Sequence, residues 1–488
     1  MISLFFLTSG LFLGWSLGAN NTANVFGSAV GSGMVRFKTA AAITSIFVII
    51  GSVLSGDGTG STLESLGSVN QLAGAFIVAM AAAVSVYWMT RADIPVSITQ
   101  SIVGSIVGWN IFSGTVTDLS SLAKILLSWL FSPILAAALS IIIYKMAKFI
   151  LTHMSIHILK LDYYNRIGFI IVGAFGAYAL GANNIAGVMG VFIPSSPFAS
   201  LKIGSITLSP TDQLFLIGGL SIAAGVISYS GKVIKTVGKG ITELTPVGGL
   251  VVVSASSLVL FIFASEGLES LLIGAGLPSI PLVPVSSSQA IVGAIVGLAL
   301  IKGGRVNYRL VGKIGLGWII TPIFAGIFAF ISLFVLQNVF SQNVYRQVRF
   351  MISPDTVQKL EAEGLYSKGM DSLNSIVFKN GVSFKEALGA AGVPENKTAG
   401  IMYFSEFLDI RVNGAELKKK LNPEFLRNEM AEAVIALDGK TFQYKWQFEE
   451  ALAEQDPIWK IKPESQANKN YNRNLRAKLT FLYGIFSQ

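Results

Sequence analysis

Two short motifs made of small and polar residues interrupt an otherwise apolar sequence, and each of them occurs twice. The first reads Gly-Ala-Asn-Asn, at residues 18–21 and again at 181–184. The second reads Pro-Val-Ser, at 95–97 and 284–286, and each copy is followed by a glutamine three residues after its serine. Amides and hydroxyls donate and accept hydrogen bonds without carrying charge. Such side chains can replace the hydration shell of a small ion.

The composition around these motifs is that of a membrane protein. Of the 488 residues, 52% are hydrophobic and 13% are charged. Residues 1–340 hold 16 basic and 9 acidic side chains, whereas residues 341–488 hold 20 and 18. We therefore expect a membrane part and a soluble part. The basic surplus lies in the membrane part and gives no reason to expect nucleic acid as a partner, and the absence of cysteine excludes disulfides and thiolate metal sites.

The apolar residues form two groups of five stretches, each near or above the length that spans a bilayer. They lie at 2–19, 39–55, 71–90, 94–113 and 121–150, and at 166–182, 212–230, 246–264, 284–301 and 311–337. We predict an all-α polytopic protein with membrane repeat 1 at 1–150, a linker at 151–165, membrane repeat 2 at 166–340, and a small soluble, mainly helical domain at 341–488. An odd number of crossings per half inverts the second half, which is the plan of many secondary transporters.

Loop charges predict the orientation in a plasma (inner) membrane. With the N-terminus outside, the inner loops carry basic residues such as Arg36, Lys38 and Lys302, and the outer loops carry acids such as Asp57 and Glu64. This agrees with the positive-inside rule. The C-terminal domain is then predicted on the outer side.

Length and motif chemistry predict interrupted helices. The run from Ile2 to Val35 has 34 uncharged residues, which is about 51 Å as a helix against about 30 Å of hydrocarbon. Each Gly-Ala-Asn-Asn lies near the middle of such a run, so we predict a helix break at both copies. The Pro-Val-Ser motifs predict helix starts inside the membrane, with Ser97 or Ser286 as N-cap. The positive end of a helix attracts anions.

The membrane interior offers no lysine or arginine to hold an anion, so a co-bound cation is expected to balance its charge. Amide oxygens are suitable ligands for Na⁺, and the candidates are Asn20, Asn21, Asn183 and Asn184. A proton-coupled site normally contains an ionisable group near the midplane. Only Asp93 comes close, so Na⁺ is favoured over H⁺.

In order and spacing, the four motifs resemble those of the PiT-type inorganic phosphate transporters, the sodium-dependent phosphate and sulfate permease family. Each half of these proteins carries a Gly-Ala-Asn-Asp-x-Ala-Asn signature and a Pro-Val-Ser-Thr-Thr-His/Gln motif. The resemblance covers about residues 1–340 and implies Na⁺-coupled phosphate uptake by a homodimer. By position, it implies that the ligands of substrate or ion are Asn21, Asn24, Asn184, Ser97, Thr99, Gln100, Ser286, Ser287, Ser288 and Gln289.

Two departures from the family pattern keep alternatives open. Asn21 and Asn184 stand where the family has aspartate. Sulfate only accepts hydrogen bonds at neutral pH, so amide donors make it the second candidate substrate. We expect a symporter that works by alternating access, without enzymatic chemistry or a cofactor. An anion channel or an oxyanion sensor are the other hypotheses, and the soluble domain is expected to be an appendage rather than a regulator.

Overall fold

Each of the ten apolar stretches contains a helix within its described residues, as the sequence predicts. The computed structural model describes the chain except residues 1, 92–95, 155–156, 199–200, 204–205, 232–243, 305, 421–425, 464, 466 and 487–488. Asp93 and Pro95 therefore lie outside the described residues. The chain divides into two units. The first comprises Met1–Trp109, Thr117–Ser196 and Thr211–Val344, and the second comprises Asn110–Val116, Pro197–Pro210 and Tyr345–Gln488.

The first unit is helical. Its helices are α1 Ile2–Phe6, α2 Thr8–Gly31, α3 Phe37–Ser55, α4 Asp57–Leu66, α5 Leu72–Arg91, α6 Ile98–Ser113, α7 Leu119–His153, α8 Ile158–Met189, α9 Pro210–Ser228, α10 Pro246–Ala264, α11 Glu266–Gly274, α12 Ser287–Lys302 and α13 Tyr308–Asn338, with a 3-10 turn at Gly190–Ser195. Within the described residues, seven helices are long and apolar enough to cross a membrane, and α12 is a shorter apolar helix. The count of ten crossings stays a prediction.

The predicted breaks at Gly-Ala-Asn-Asn are wrong. Helix α2 continues through the first copy, and α8 continues through the second to Met189. The glycines serve close helix packing instead, because a Cβ on Gly18 would overlap the backbone of Ile222 in α9, and one on Gly181 would overlap that of Val48 in α3. Small residues are common where membrane helices approach closely.

The second unit contains strands that the sequence analysis did not predict. They are β1 Leu201–Ile203, β2 Ile206–Leu208, β3 Arg349–Met351, β4 Val377–Phe378, β5 Glu406–Arg411 and β6 Thr441–Tyr444. Strands β1 and β2 form an antiparallel pair, and the other four form an antiparallel sheet in the order β4-β3-β5-β6. The helices are α14 Pro354–Ala362, α15 Gly381–Ala390, α16 Glu395–Ser405, α17 Gly414–Lys420, α18 Asn428–Ile435, α19 Lys445–Gln455 and α20 Lys469–Phe486, with 3-10 turns at Lys368–Leu373 and Pro457–Trp459.

Two modules with similar sequences build this sheet. Strands β3 and β4 are each followed by a helix, and so are β5 and β6. The helix after the outer strand reads Phe-Lys-Glu-Ala-Leu at 384–388 in one module and Phe-Glu-Glu-Ala-Leu at 448–452 in the other. The phenylalanine and leucine of both segments are fully buried, in separate hydrophobic clusters. The central pair β3–β5 joins the modules.

A short segment from the end of α6 also belongs to the second unit. The backbone N–H of Val382 donates to the carbonyl oxygen of Gly114 at 3.1 Å. The rings of Phe112 and Tyr345 meet edge to face, with centroids 6.0 Å apart. Residues 110–116 are therefore bound to the chain that follows residue 344.

Candidate functional site

The Pro-Val-Ser motifs lead into helices, as predicted. Ser286 is the N-cap of α12, and its Oγ accepts a hydrogen bond from the backbone N–H of Gln289 at 3.2 Å. In the first half, Ser97 Oγ accepts from the N–H of Gln100 at 3.3 Å, just before α6. Both serines are buried, at 0% and 3% exposure. A serine hydroxyl in this position satisfies one of the N–H groups that a helix start leaves without a partner.

The two helix starts contact each other through reciprocal hydrogen bonds. Thr99 Oγ1 at the start of α6 donates to the carbonyl oxygen of Val285 at 3.4 Å. Ser288 Oγ at the start of α12 donates to the carbonyl oxygen of Val96, also at 3.4 Å. Each hydroxyl therefore binds the backbone that precedes the other helix. The positive ends of both helix dipoles lie close together as a result.

The two asparagine motifs join the same cluster. Asn21 Nδ2 in α2 donates to Ser287 Oγ at 2.8 Å. Asn183 in α8 binds the peptide group of Val285 twice: its Nδ2 donates to the carbonyl oxygen at 2.7 Å, and its Oδ1 accepts from the N–H at 3.1 Å. The structure thus brings residues from all four motifs together.

The remaining predicted residues lie in less direct positions. Asn184 Nδ2 donates to the carbonyl oxygen of Leu180 in its own helix at 2.9 Å, and the residue is 3% exposed. Asn20 and Asn24 are half-buried. Asn183 Oδ1 uses one of its two lone pairs to accept from the N–H of Val285, and the role of Asn183 as a Na⁺ ligand stays a prediction.

The cluster is closed to solvent and contains unpartnered acceptors. Asn21, Asn183, Asn184, Ser97, Thr99, Gln100, Ser286, Ser287, Ser288 and Gln289 are each no more than 7% exposed. The Oε1 atoms of Gln100 and Gln289 are buried and accept no hydrogen bond within the described chain. A glutamine at this position of a helix often bonds back to the N-cap N–H. Here neither does, so two acceptor oxygens remain for a donor or a cation.

The site contains no ionised side chain among these residues. Nor do the described residues contain a group of three or more His, Cys, Asp or Glu side chains that would suit a metal ion. Charge on a bound ion would have to be balanced by helix dipoles, hydroxyls, amides and a second ion. This arrangement suits binding and release better than covalent chemistry.

Comparison with known proteins identifies the family. The phosphate transporter family matches this sequence over residues 17–269 and 279–480. The chain belongs to the phosphate transporter family. A candidate phosphate permease of Methanocaldococcus jannaschii is 31% identical, over 67% of this chain and 95% of that protein. Candidate phosphate permeases of Pyrococcus abyssi and Chlamydia pneumoniae are each 25% identical, over 68% and 69% of this chain and 96% and 99% of those proteins.

A solved structure supports the same fold. The protein titled the sodium-dependent phosphate transporter matches with a TM-score of 0.55 at 22% identity, over 69% of this chain and 99% of that chain. About a third of the present chain lies outside the region aligned with the Methanocaldococcus jannaschii protein and outside the region aligned with the solved structure. The family membership makes this chain a polytopic membrane transporter rather than a soluble binding protein.

Sequence reasoning missed the backbone of Val96 and Val285 as parts of the site. Neither valine side chain carries chemistry, but both carbonyl groups accept hydrogen bonds from the helix starts. A signal was present in the second half, because Pro281 and Pro284 lack an N–H and prevent a helix before Ser286. An extended chain at that depth needs hydrogen-bond donors, and Asn183 supplies one.

Proposed function

We propose that this member of the family is a Na⁺-coupled phosphate symporter that works by alternating access around the cluster of the four motifs. The observation that carries the proposal is the convergence of two capped helix starts with Asn21 and Asn183 in a buried, uncharged cluster. Helix N-termini bind phosphate through backbone N–H groups and the positive end of the dipole. Among the described residues, none accepts a hydrogen bond from the N–H groups of Ser287 and Ser288.

The unpartnered glutamine oxygens favour phosphate over sulfate. Near neutral pH, phosphate carries at least one P–O–H group that donates a hydrogen bond, whereas sulfate carries none. The Oε1 atoms of Gln100 and Gln289 can accept such a bond. The case for sulfate depended on amide donors, and one N–H of Asn21 and one of Asn184 are already engaged by Ser287 and by Leu180. The relatives named above are also described as phosphate permeases.

Na⁺ coupling follows from the absence of fixed charge. An anion buried among neutral groups is strongly disfavoured unless an opposite charge accompanies it. The Oδ1 atoms of Asn21 and Asn184 accept no hydrogen bond from the described residues, and oxygen ligands suit Na⁺. The sodium-dependent transporter with the same fold supports this choice of ion.

Crosswise packing supports an inverted repeat and alternating access. A Cβ on Gly104 of α6 would overlap Pro322 in α13, and one on Gly293 of α12 would overlap Pro133 in α7. Each site helix therefore packs on the proline of the long helix from the other half. Such reciprocal contacts fit two halves that rock around a shared site.

Orientation and assembly are part of the same proposal. Loop charges predict that 110–116, 197–210 and 345–488 all lie outside the cell, and their membership of one unit is consistent with this. The homodimer expected from the resemblance stays a prediction.

The proposal is tested with purified transporter in proteoliposomes. Uptake of radiolabelled phosphate should exceed that of sulfate and should require an inward Na⁺ gradient. Ser97→Ala combined with Ser286→Ala should abolish uptake, because both helix starts lose their cap. Asn307→Ala is the matched control, since it removes the cap hydrogen bond to Leu310 from α13 at an exposed position, and should leave uptake intact.

Three results would contradict the proposal. Full uptake by the double-serine variant would show that the helix starts do not bind the substrate. Flux that does not saturate and ignores Na⁺ would indicate a channel. A preference for sulfate would show that sulfate, and not phosphate, is the substrate of the site.

A further inference from the structure

A buried extended segment leads into α12. Residues 282–286 have no helical or strand structure, yet all five are buried. Val283 and Val285 are 1% and 0% exposed. Within a membrane, backbone N–H and C=O groups away from water need partners inside the protein. Pro281 and Pro284 reduce the number of N–H groups that need one.

Individual groups from four helices satisfy this backbone, including Thr99 in α6, which donates to the carbonyl oxygen of Val285 at 3.4 Å. Thr62 Oγ1 in α4 donates to the carbonyl oxygen of Leu282 at 2.6 Å. The carbonyl oxygen of Phe263 in α10 accepts from the N–H of Val283 at 3.2 Å. Asn183 in α8 satisfies both groups of Val285. Among the described residues, Asn183 alone bonds to both the N–H and the carbonyl oxygen of one residue of the segment.

We propose that Asn183 is a positioning residue: its amide binds the backbone of Val285 and thereby sets the place at which α12 begins. Val285 is followed directly by the cap Ser286 and then by Ser287, which Asn21 contacts. A shift of Val285 therefore moves both serines. This inference rests on the proposed function, because the helix start that it positions is the proposed phosphate site.

The chemistry of the contact explains why asparagine is required. Val285 presents one donor and one acceptor, and a carboxamide matches both. A carboxylate accepts from the N–H but repels the carbonyl oxygen. The substitution Asn183→Asp should therefore weaken the contact with Val285.

Cysteine reactivity tests the contact independently of transport. The chain has no cysteine, so Val283→Cys gives a single thiol that is shielded while the segment stays in place. Adding Asn183→Ala should raise its rate of reaction with a small water-soluble thiol reagent by about tenfold or more, since the segment opens more often once its buried partners are lost. Tyr178→Phe is the matched control, because it removes from the same helix a hydroxyl that bonds to Ser55. An unchanged rate with Asn183→Ala would overturn the proposal.

Transport separates positioning from cation binding. Asn183→Asp should lower phosphate uptake by about a hundredfold and raise the phosphate concentration at half-maximal uptake, while the control Tyr178→Phe, in the same helix, should keep the wild-type phosphate requirement. Thermal unfolding of each purified variant identifies any loss due to misfolding. If Asn183→Asp instead transports phosphate and needs less Na⁺, Asn183 is a cation ligand and the proposal is wrong. If the wild type takes up no phosphate, the proposed function fails, and the cysteine rates still decide the role of Asn183.

Discussion

The two glycines at which the site helices contact the long helices offer a direct test of how finely the site must be placed. Gly104 and Gly293 each lie seven residues after the cap serine of their helix, about 10 Å along the axis. A Cβ added to Gly293 would lie 2.6 Å from Pro133 Cα, and one added to Gly104 would lie 2.6 Å from Pro322 Cα. Because these neighbours are backbone atoms of helices, they cannot turn away.

The geometry gives the magnitude. Ordinary contacts of a Cβ begin near 3.4 Å, so Gly293→Ala must move α12 away from α7 by roughly 1 Å. Overpacking of this kind destabilises by about 1–3 kcal/mol, which a folded domain can survive. A 1 Å displacement of groups that must meet a substrate can reduce its turnover by about a hundredfold. We therefore expect Gly104→Ala and Gly293→Ala each to lose most of their transport while remaining folded.

The assay compares initial phosphate uptake in proteoliposomes, normalised to the amount of reconstituted protein, with the thermal unfolding temperature of the same variants. Gly315→Ala is the control, since a Cβ there meets nothing within 4 Å. It should transport at the wild-type rate, because alanine is also the better helix former. Wild-type uptake by both Gly104→Ala and Gly293→Ala would show that the site tolerates this displacement and would refute the reasoning.

Two further predictions concern the C-terminal residues and the orientation. Tyr403 and Tyr483 both donate to the carboxylate of Glu449, and burial together with this charge raises the pKa of both phenols. The contribution of these two hydrogen bonds to stability should be complete below about pH 10 and decline at higher pH. Glu449→Gln should lower the pH at which the ultraviolet signal of tyrosinate develops. Superimposable titrations of variant and wild type would contradict this. Single cysteines can replace the exposed residues Glu386 and Lys313 in separate variants. In intact cells a membrane-impermeant maleimide should label the cysteine at 386 and not the one at 313. The reverse pattern would show that the predicted orientation is inverted.

Local rules predicted much of the architecture. Apolar length identified the helices of the first unit, and α10 begins and ends where its apolar stretch does. The cap serines were also predictable, since a serine after a proline and before an apolar run is typical of a helix start. Ser286 and Ser97 both have this role. Each of these features depends on a few neighbouring residues.

The wrong predictions depended on contacts between distant residues. Glycine and asparagine favour a helix break only when nothing compensates. In α8, however, the absence of a side chain at Gly181 allows the helix to pack directly on α3, and Asn184 bonds back to Leu180. The sheet of the second unit was missed because its strands are short and β4 has two residues. No alternation of apolar and polar residues develops over that length.

The absence of aspartate at positions 21 and 184 bears on how the proposed coupling would work. A site with fixed carboxylates can attract Na⁺ before the anion arrives. Here the helix starts and amides are neutral or partly positive, so an empty site holds a cation weakly, and the charge of bound phosphate does most of the attraction. The same neutrality removes the need to bury uncompensated acids when the empty transporter changes conformation. Cation and anion would then bind as a pair, and the neutral hydrogen-bonded framework of Asn183, Val285 and Ser286 would supply the geometry rather than the charge.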